Sequence, residues 1–171
     1  MVARVHTGDP SLYGAVREQA RLLDADGIPW EVVPGVSAAF AAAAAGKVSF
    51  TVPETTQTLI ITRLEGRTPV PERERLRALA AHGSSLAIYL SASEPDRMQA
   101  ELLAVLPPET PILCACRAGW PDQRMAWARA DTLADVIREQ GFTRQTVFLV
   151  LPGQPRADDR SRLYDAAFTH G

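Results

Sequence analysis

The chain has 171 residues, 46% hydrophobic and 22% charged, which suits one ordinary domain or two small ones and excludes a disordered chain. Eighteen basic and 20 acidic residues leave a net charge of −2, which argues against a protein that lives by phosphate contacts along nucleic acid. The longest uncharged run, residues 32–46 with its alanine-rich part near 38–45, is too short and small-residued to span a membrane, and Arg4, His6 and Asp9 interrupt any signal-peptide core. A cytoplasmic protein with no membrane or nucleic-acid partner is expected.

Residues 2–5 predict a short strand ending at His6-Thr7-Gly8-Asp9-Pro10. Asp9 can accept backbone N–H groups as an N-cap and Pro10 suits a first helical turn, so a helix is predicted to start there. Leu12, Val16, Ala20 and Leu23 recur at helical spacing, and Gly27 ends the helix. Residues 30–33 predict a second strand. Pro34-Gly35-Val36-Ser37 then turns into a helix capped by Ser37, running through the alanines and closed by Gly46. Strand–helix–strand–helix is the order of a parallel α/β sheet.

Residues 49–54 have no period and contain Pro53, so they read as a linker. A second α/β unit follows. It has a strand at 58–63, a helix opened by Pro71 and Glu72 and ended at Gly83, and a strand at 86–90. Ser93 and Asp96 resemble a capping box opening a helix to about Ala104. A strand at 112–117, the turn Gly119-Trp120-Pro121-Asp122 and a short strand at 125–130 come next. Asp131 is placed to cap a helix bearing Leu133, Val136 and Ile137 and closed by Gly141, before a last strand at 146–151. The charged stretch from Arg156 reads as a solvated tail. The first unit alone is too small to bury both faces of a parallel sheet, so it either packs onto the second unit or ends a longer domain; the latter is expected.

Cys114 and Cys116 share one face of a strand and are not a CxxC pair, so both are expected as free thiols of the core or cleft. No set of His, Cys or carboxylates has metal-ligand spacing, and no metal is expected. There is no GxSxG elbow and no GxGxxG or P-loop pattern.

Three loops could carry chemistry. Thr7-Gly8-Asp9-Pro10-Ser11-Leu12-Tyr13-Gly14 follows a predicted strand, where open α/β sheets bind ligands and a helix N-terminus offers free N–H donors. Pro34-Gly35-Val36-Ser37-Ala38 is a second strand end entering a helix, with neighbours small enough for a flat ligand to come close. Together the two favour a nucleotide-like pocket, although each alone is equally a capped turn. Thr62-Arg63-Leu64-Glu65-Gly66-Arg67-Thr68-Pro69-Val70-Pro71 could present two guanidinium groups to a multi-carboxylate substrate, or be a solvated loop with an internal ion pair. Of the histidines, His6 alone sits at a predicted strand end.

These segments, with Ala118-Gly119-Trp120-Pro121-Asp122, resemble the tetrapyrrole methylases over essentially the whole chain. GDPxxYG and VPGVSA are general to that family, whereas the HTGDP form, TRLEGRTPVPE and AGWPD resemble its carbon-11 branch. The resemblance implies two α/β domains with the cofactor in the cleft between them. Residues 1–51 would be the end of an incomplete first domain, 53–152 a complete second α/β domain of about five strands, and 153–171 a polar tail. The family's opening strand and GxGPGD loop do not occur in this sequence.

The resemblance further implies S-adenosylmethionine as methyl donor, without a metal, and methyl transfer to carbon 11 of precorrin-4 in cobalamin (corrin ring) biosynthesis. Alternatives are the cobalt-containing substrate, or a non-catalytic fragment that keeps only the fold. It assigns cofactor contacts to Thr7, Gly8, Asp9, Leu12, Ser37, Ala38, Leu90 and Ala118, and no acid, base or nucleophile. Arg63 and Arg67 are candidates for pairing with substrate carboxylates, and His6 for shaping the substrate side. Family members are commonly homodimers, so a homodimer is expected at full length.

Overall fold

Strands that are apolar at every position need cover on both faces. In the computed structural model, which describes residues 2–66 and 68–154, three such buried strands and two more exposed ones form one sheet. They are β1 (Leu59–Arg63), β2 (Ser85–Tyr89), β3 (Pro111–Cys116), β4 (Arg124–Arg129) and β5 (Thr146–Val150), in the order β1-β2-β5-β3-β4. β1 and β2 pair in parallel, whereas β2–β5, β5–β3 and β3–β4 are antiparallel. The sheet is therefore mixed, as the hairpin-like return of β4 and β5 requires. β1, β2 and β3 nonetheless run in the same direction and end at one edge.

Alternation along the strands sorts their side chains into two cores. On one face Leu86, Ile88, Ile112, Cys114 and Phe148 pack with Leu76 and Ala80 of α3 (Leu76–Ala80), Met98 and Leu102 of α4 (Pro95–Leu103), and Leu133 and Ile137 of α5 (Leu133–Glu139). On the other, Ala87, Leu113, Ala115, Val147 and Leu149 pack with Ala39, Ala42 and Ala43 of α2 (Ala38–Gly46). Small side chains on α2 let its backbone lie close to the sheet. A Cβ on Gly46 would sit 2.3 Å from Leu113 Cδ2, so that position is glycine for packing. The left-handed residue ending α2 is its neighbour Lys47, with φ 54°.

The segment read as a linker is part of this core. Phe50 is buried against the α2 side of the sheet and meets Phe40 edge to face, and its carbonyl accepts from Ser85 Oγ at 2.7 Å. Cys114 and Cys116 share a face as expected, both free and buried.

Residues 2–5 and 30–33 form no strands. Val2 and Val5 are almost fully exposed, Val33 largely so and Trp30 and Val32 nearly half, and no described strand pairs with them. Two short parallel strands leave too many backbone groups and too much apolar surface unsatisfied to hold by themselves. α1 (Val16–Ala25) starts well after Asp9 and buries no residue fully. Tyr13 and Ala15 take positive φ, 57° and 51°, which no helix can run through. Its end follows expectation: Gly27 is left-handed, with the Ile28 amide on Leu23 O and the Gly27 amide on Asp24 O.

The other expected caps are taken by different groups. Glu94 and Thr132 are the N-cap residues of α4 and α5, without side-chain cap bonds. Asp131 instead holds the Arg129 guanidinium, which diverts it from the helix. The helix predicted from Pro71 is broken at extended Arg75 into a single turn at Glu72–Glu74 and α3. The charged stretch from Arg156 lies outside the described residues.

Candidate functional site

The site is built from two loops that interlock and from the ends of the parallel-running strands. In the first loop the Asp9 carboxylate accepts from the Ser11 amide at 2.9 Å and from the Ser11 hydroxyl, and its second oxygen accepts from the Gly35 amide at 3.0 Å. These three bonds, the Ser11 hydroxyl first, hold the carboxyl below the usual aspartate range. Glycine at 35 is demanded by space: a Cβ there would lie 2.3 Å from Gly8 O. Gly8 has φ 80° and faces Val36 O and the Ala38 amide. Gly8 is thus brought against Ser37 and Ala38, and Asp9 against Gly35, with Thr7 next in the chain. Leu12 is half-buried, its amide turned back to Asp9 O at 3.2 Å.

Ser37 is the N-cap of α2 but makes no side-chain cap bond. Its hydroxyl is 2.6 Å from the Tyr89 hydroxyl, which also accepts from the Ala39 amide at 2.8 Å. The Phe40 and Ala41 amides go to Ser37 O. The Ala38 amide is left with no partner among the described residues, at the positive end of the helix. The Tyr89 ring lies 5.7 Å from that of Tyr13, tilted by 52°. Burial raises the Tyr13 hydroxyl pKa, against the opposing charge of nearby Arg63.

Tyr89 ends β2, opposite Arg63 at the end of β1. Leu90 follows at φ 54° with 70% of its surface exposed. Ser91 closes the corner: its hydroxyl donates to Tyr89 O at 2.6 Å and accepts from the Leu64 amide at 2.9 Å. Ala118 lies beyond the end of β3 at the same edge, packed on the α2 side of the sheet with Tyr89 and Ala38. The predicted contact residues therefore gather along one edge, with Ala118 separated from Leu90 by the width of β5.

The Arg63 guanidinium reaches back into its own loop, donating to Leu64 O at 2.9 Å and to Thr68 O and Oγ1 at 3.2 and 2.9 Å. Its loop is tied down further by Arg97, which donates to Glu65 O and pairs with the Glu65 carboxylate. Arg67 lies outside the described residues. His6 is half-buried just before the first loop. Among the described residues no three His, Cys, Asp or Glu converge on a metal-sized site. A broad concavity of about 590 Å³ lies on the α1 side of the first loop, lined by Ser11, Tyr13, Val16 and Trp30 among others, and excludes every predicted contact.

Sequence reasoning passed over Tyr13, Tyr89 and Ser91. One signal was available. A tyrosine in an otherwise apolar strand carries a hydroxyl that needs a partner once buried.

A family profile described as Tetrapyrrole (Corrin/Porphyrin) Methylases matches residues 1–134. The cobalt-precorrin-4 C(11)-methyltransferase of Priestia megaterium is 44% identical over 176 aligned positions, covering 100% of this chain and 68% of the relative. The solved structure of a cobalamin biosynthetic enzyme, cobalt precorrin-4 methyltransferase, is 43% identical with a TM-score of 0.85, over 88% of this chain and 63% of that one. Uroporphyrin-III C-methyl transferase from Thermus thermophilus, solved in complex with S-adenyl homocysteine, is 25% identical with a TM-score of 0.67, over 84% and 62%. The chain spans about two thirds of the length of these proteins.

Proposed function

The chain belongs to the tetrapyrrole (corrin/porphyrin) methylases, and from that premise we propose that its loop-lined sheet edge takes part in S-adenosylmethionine-dependent methyl transfer to carbon 11 of precorrin-4, in cobalamin biosynthesis. The observation that carries this reading is the Asp9–Gly35 bond, which knits together the two family loops that Tyr89, the neighbour of exposed Leu90, contacts at Ser37 and Tyr13. The site fits the cofactor's chemistry. An unpartnered Ala38 amide at a helix N-terminus suits an anionic or carbonyl acceptor, and Leu90 and Ala118 supply apolar surface for a flat ring.

In this reading Thr7, Gly8, Asp9, Leu12, Ser37, Ala38, Leu90 and Ala118 hold the cofactor. When bound, the cofactor would supply an activated methyl group and keep the electron pair of the broken carbon–sulfur bond, as S-adenosylhomocysteine. The macrocycle carbon is itself an electron-rich nucleophile, so the protein's task is to align the two partners and exclude water. That agrees with the absence of a nucleophile motif from the sequence. Arg63, whose Nε–H has no partner among the described residues, and Arg67 would pair with acetate or propionate groups, and His6 would shape the substrate side of the pocket.

The same reading divides the chain into residues 1–51, ending a first domain, and 53–152, a second. It makes the full-length protein a cytoplasmic homodimer acting on a small molecule. The near-balanced charge favours a small molecule over nucleic acid as the partner. Among the described residues no helix is long and apolar enough to cross a membrane. Binding without turnover is a second reading, favoured by the exposed, unpaired segments at 2–5 and 30–33.

Calorimetric titration of the chain with S-adenosylhomocysteine tests the cofactor site. Binding near micromolar, about −8 kcal/mol, supports it. A folded chain that takes up no ligand overturns it for this polypeptide. A single-turnover assay with precorrin-4 and with its cobalt form then separates the two substrates, and binding without product selects the second reading.

A further inference from the structure

An N-cap serine ordinarily turns its own hydroxyl onto the amide two or three residues into the helix. In α2 that task has passed to a side chain 50 residues away. The Tyr89 hydroxyl accepts from the Ala39 amide at 2.8 Å and engages the Ser37 hydroxyl at 2.6 Å, so Ser37 makes no cap bond of its own. The other side of the same residue meets the first loop, where its ring packs on Tyr13 with centroids 5.7 Å apart. Tyr13 is held at φ 57°, a conformation that needs support from outside the loop. The Tyr89 main chain is itself pinned, its carbonyl accepting from Ser91 Oγ at 2.6 Å.

We propose that Tyr89 is a positioning residue: it caps α2 and seats Tyr13, so that one side chain from the rigid sheet sets the relative position of the two cofactor loops. Asp9–Gly35 ties the loops to each other, but those residues belong to the loops themselves. Tyr89 is the element that refers both loops to the sheet edge carrying Leu90. Its role is indirect, through the orientation of Ser37 and Ala38 and of the loop that ends at Tyr13. The proposal rests on the cofactor reading above, while the clasp itself is a property of the fold.

Tyr89→Phe removes the hydroxyl and keeps the ring on Tyr13. Two readouts are followed in the full chain: hydrogen exchange at the Ala39 amide, and the Kd for S-adenosylhomocysteine by calorimetry. Exchange at Ala39 is expected to rise at least tenfold and the Kd to rise about tenfold. The exchange of β2 and β5 amides should stay unchanged. Ser37→Ala, which leaves the Tyr89–Ala39 bond intact, should raise Ala39 exchange less.

Unchanged Ala39 exchange in Tyr89→Phe overturns the clasp. Faster exchange with an unchanged Kd overturns the positioning role, because the hydroxyl then does no more than cap a helix. If the parent chain itself binds no S-adenosylhomocysteine, it is the cofactor reading that fails. The Ala39 exchange and the exchange of the Gly8 and Leu12 amides then decide whether Tyr89 holds the two loops.

Discussion

Asp9 and Gly35, 26 residues apart, are joined by a 3.0 Å hydrogen bond from the Gly35 amide to the Asp9 carboxylate, across a contact too close for any side chain at position 35. A carboxylate held by three donors is stabilised as the anion, so its folded pKa lies below its unfolded one. The contribution of this bond is therefore complete above the ordinary aspartate value of 3.8 and is lost as pH falls through the lower, folded value. The Gly35 amide resonance should titrate with a midpoint below 3.8, and Asp9→Asn should abolish that titration. A midpoint at or above the ordinary value would show that the bond does not form in solution.

Gly35→Ala should drive a Cβ into the backbone of Gly8, which has no flexible end to yield. A loss of about 1–3 kcal/mol is expected from such a clash. Because the loops sit at the margin of the fold, the loss should appear as loop release, read by faster proteolysis between Gly8 and Val36, before any change in the sheet. By contrast, Gly27→Ala meets no atom within 4 Å and should cost only the left-handed backbone penalty, about 1–2 kcal/mol of local helix stability.

Gly46 and Leu113 occupy one contact, so their substitutions should not add. Leu113→Ala alone should destabilise by about 2–5 kcal/mol through the cavity it leaves under α2. Gly46→Ala alone should cost about 1–3 kcal/mol by overpacking against Leu113 Cδ2. In the double variant the new methyl enters the vacated space, and denaturant melts should give a total below the sum of the two.

Burial pushes the Cys114 thiol pKa up to about 12, so at pH 8 almost none of it is thiolate. Cys116 is buried on the same face. Neither thiol should react with a disulfide reagent at pH 8 in the native chain, and two should react in guanidinium. Rapid labelling of the native chain would contradict the placement of β3 inside the sheet, between β5 and β4.

Arg63 and Arg67 should matter to the macrocycle more than to the methyl donor. In an active full-length enzyme, replacing both with alanine is expected to raise the KM for the tetrapyrrole by an order of magnitude or more, with little change in S-adenosylhomocysteine affinity. Equal losses in both would mean that Arg63, through Leu64 and Thr68, only shapes the loop.

The strands of the second unit were legible to within a residue at each end, whereas its helix from Pro71 and its helix caps were not. Its strands are bounded by strong turn signals, and alternation placed Cys114 and Cys116 on one face before any coordinates. The positions of the loops were legible too, because TGDPSLYG and PGVSA carry glycines with physical reasons: a left-handed φ at Gly8 and a lack of space at Gly35. What failed were inferences from local rules about groups that find better partners at a distance. Ser37 looked like a cap until Tyr89 engaged its hydroxyl and took its task, and Asp131 looked like one until Arg129 took it.

By itself, the sequence determined the family, the number and order of the second unit's strands, and the loops that meet at the sheet edge. These rest on short-range patterns: periodicity, turn residues and motif spacing. Only the tertiary structure decided that β5 inserts between β2 and β3, that residues 2–5 and 30–33 pair with no other described strand, and that Tyr89 clasps the two loops. Strand neighbours and hydrogen-bond partners far apart in the chain are chosen by competition among all available groups, and that choice leaves no local trace in the order of the residues.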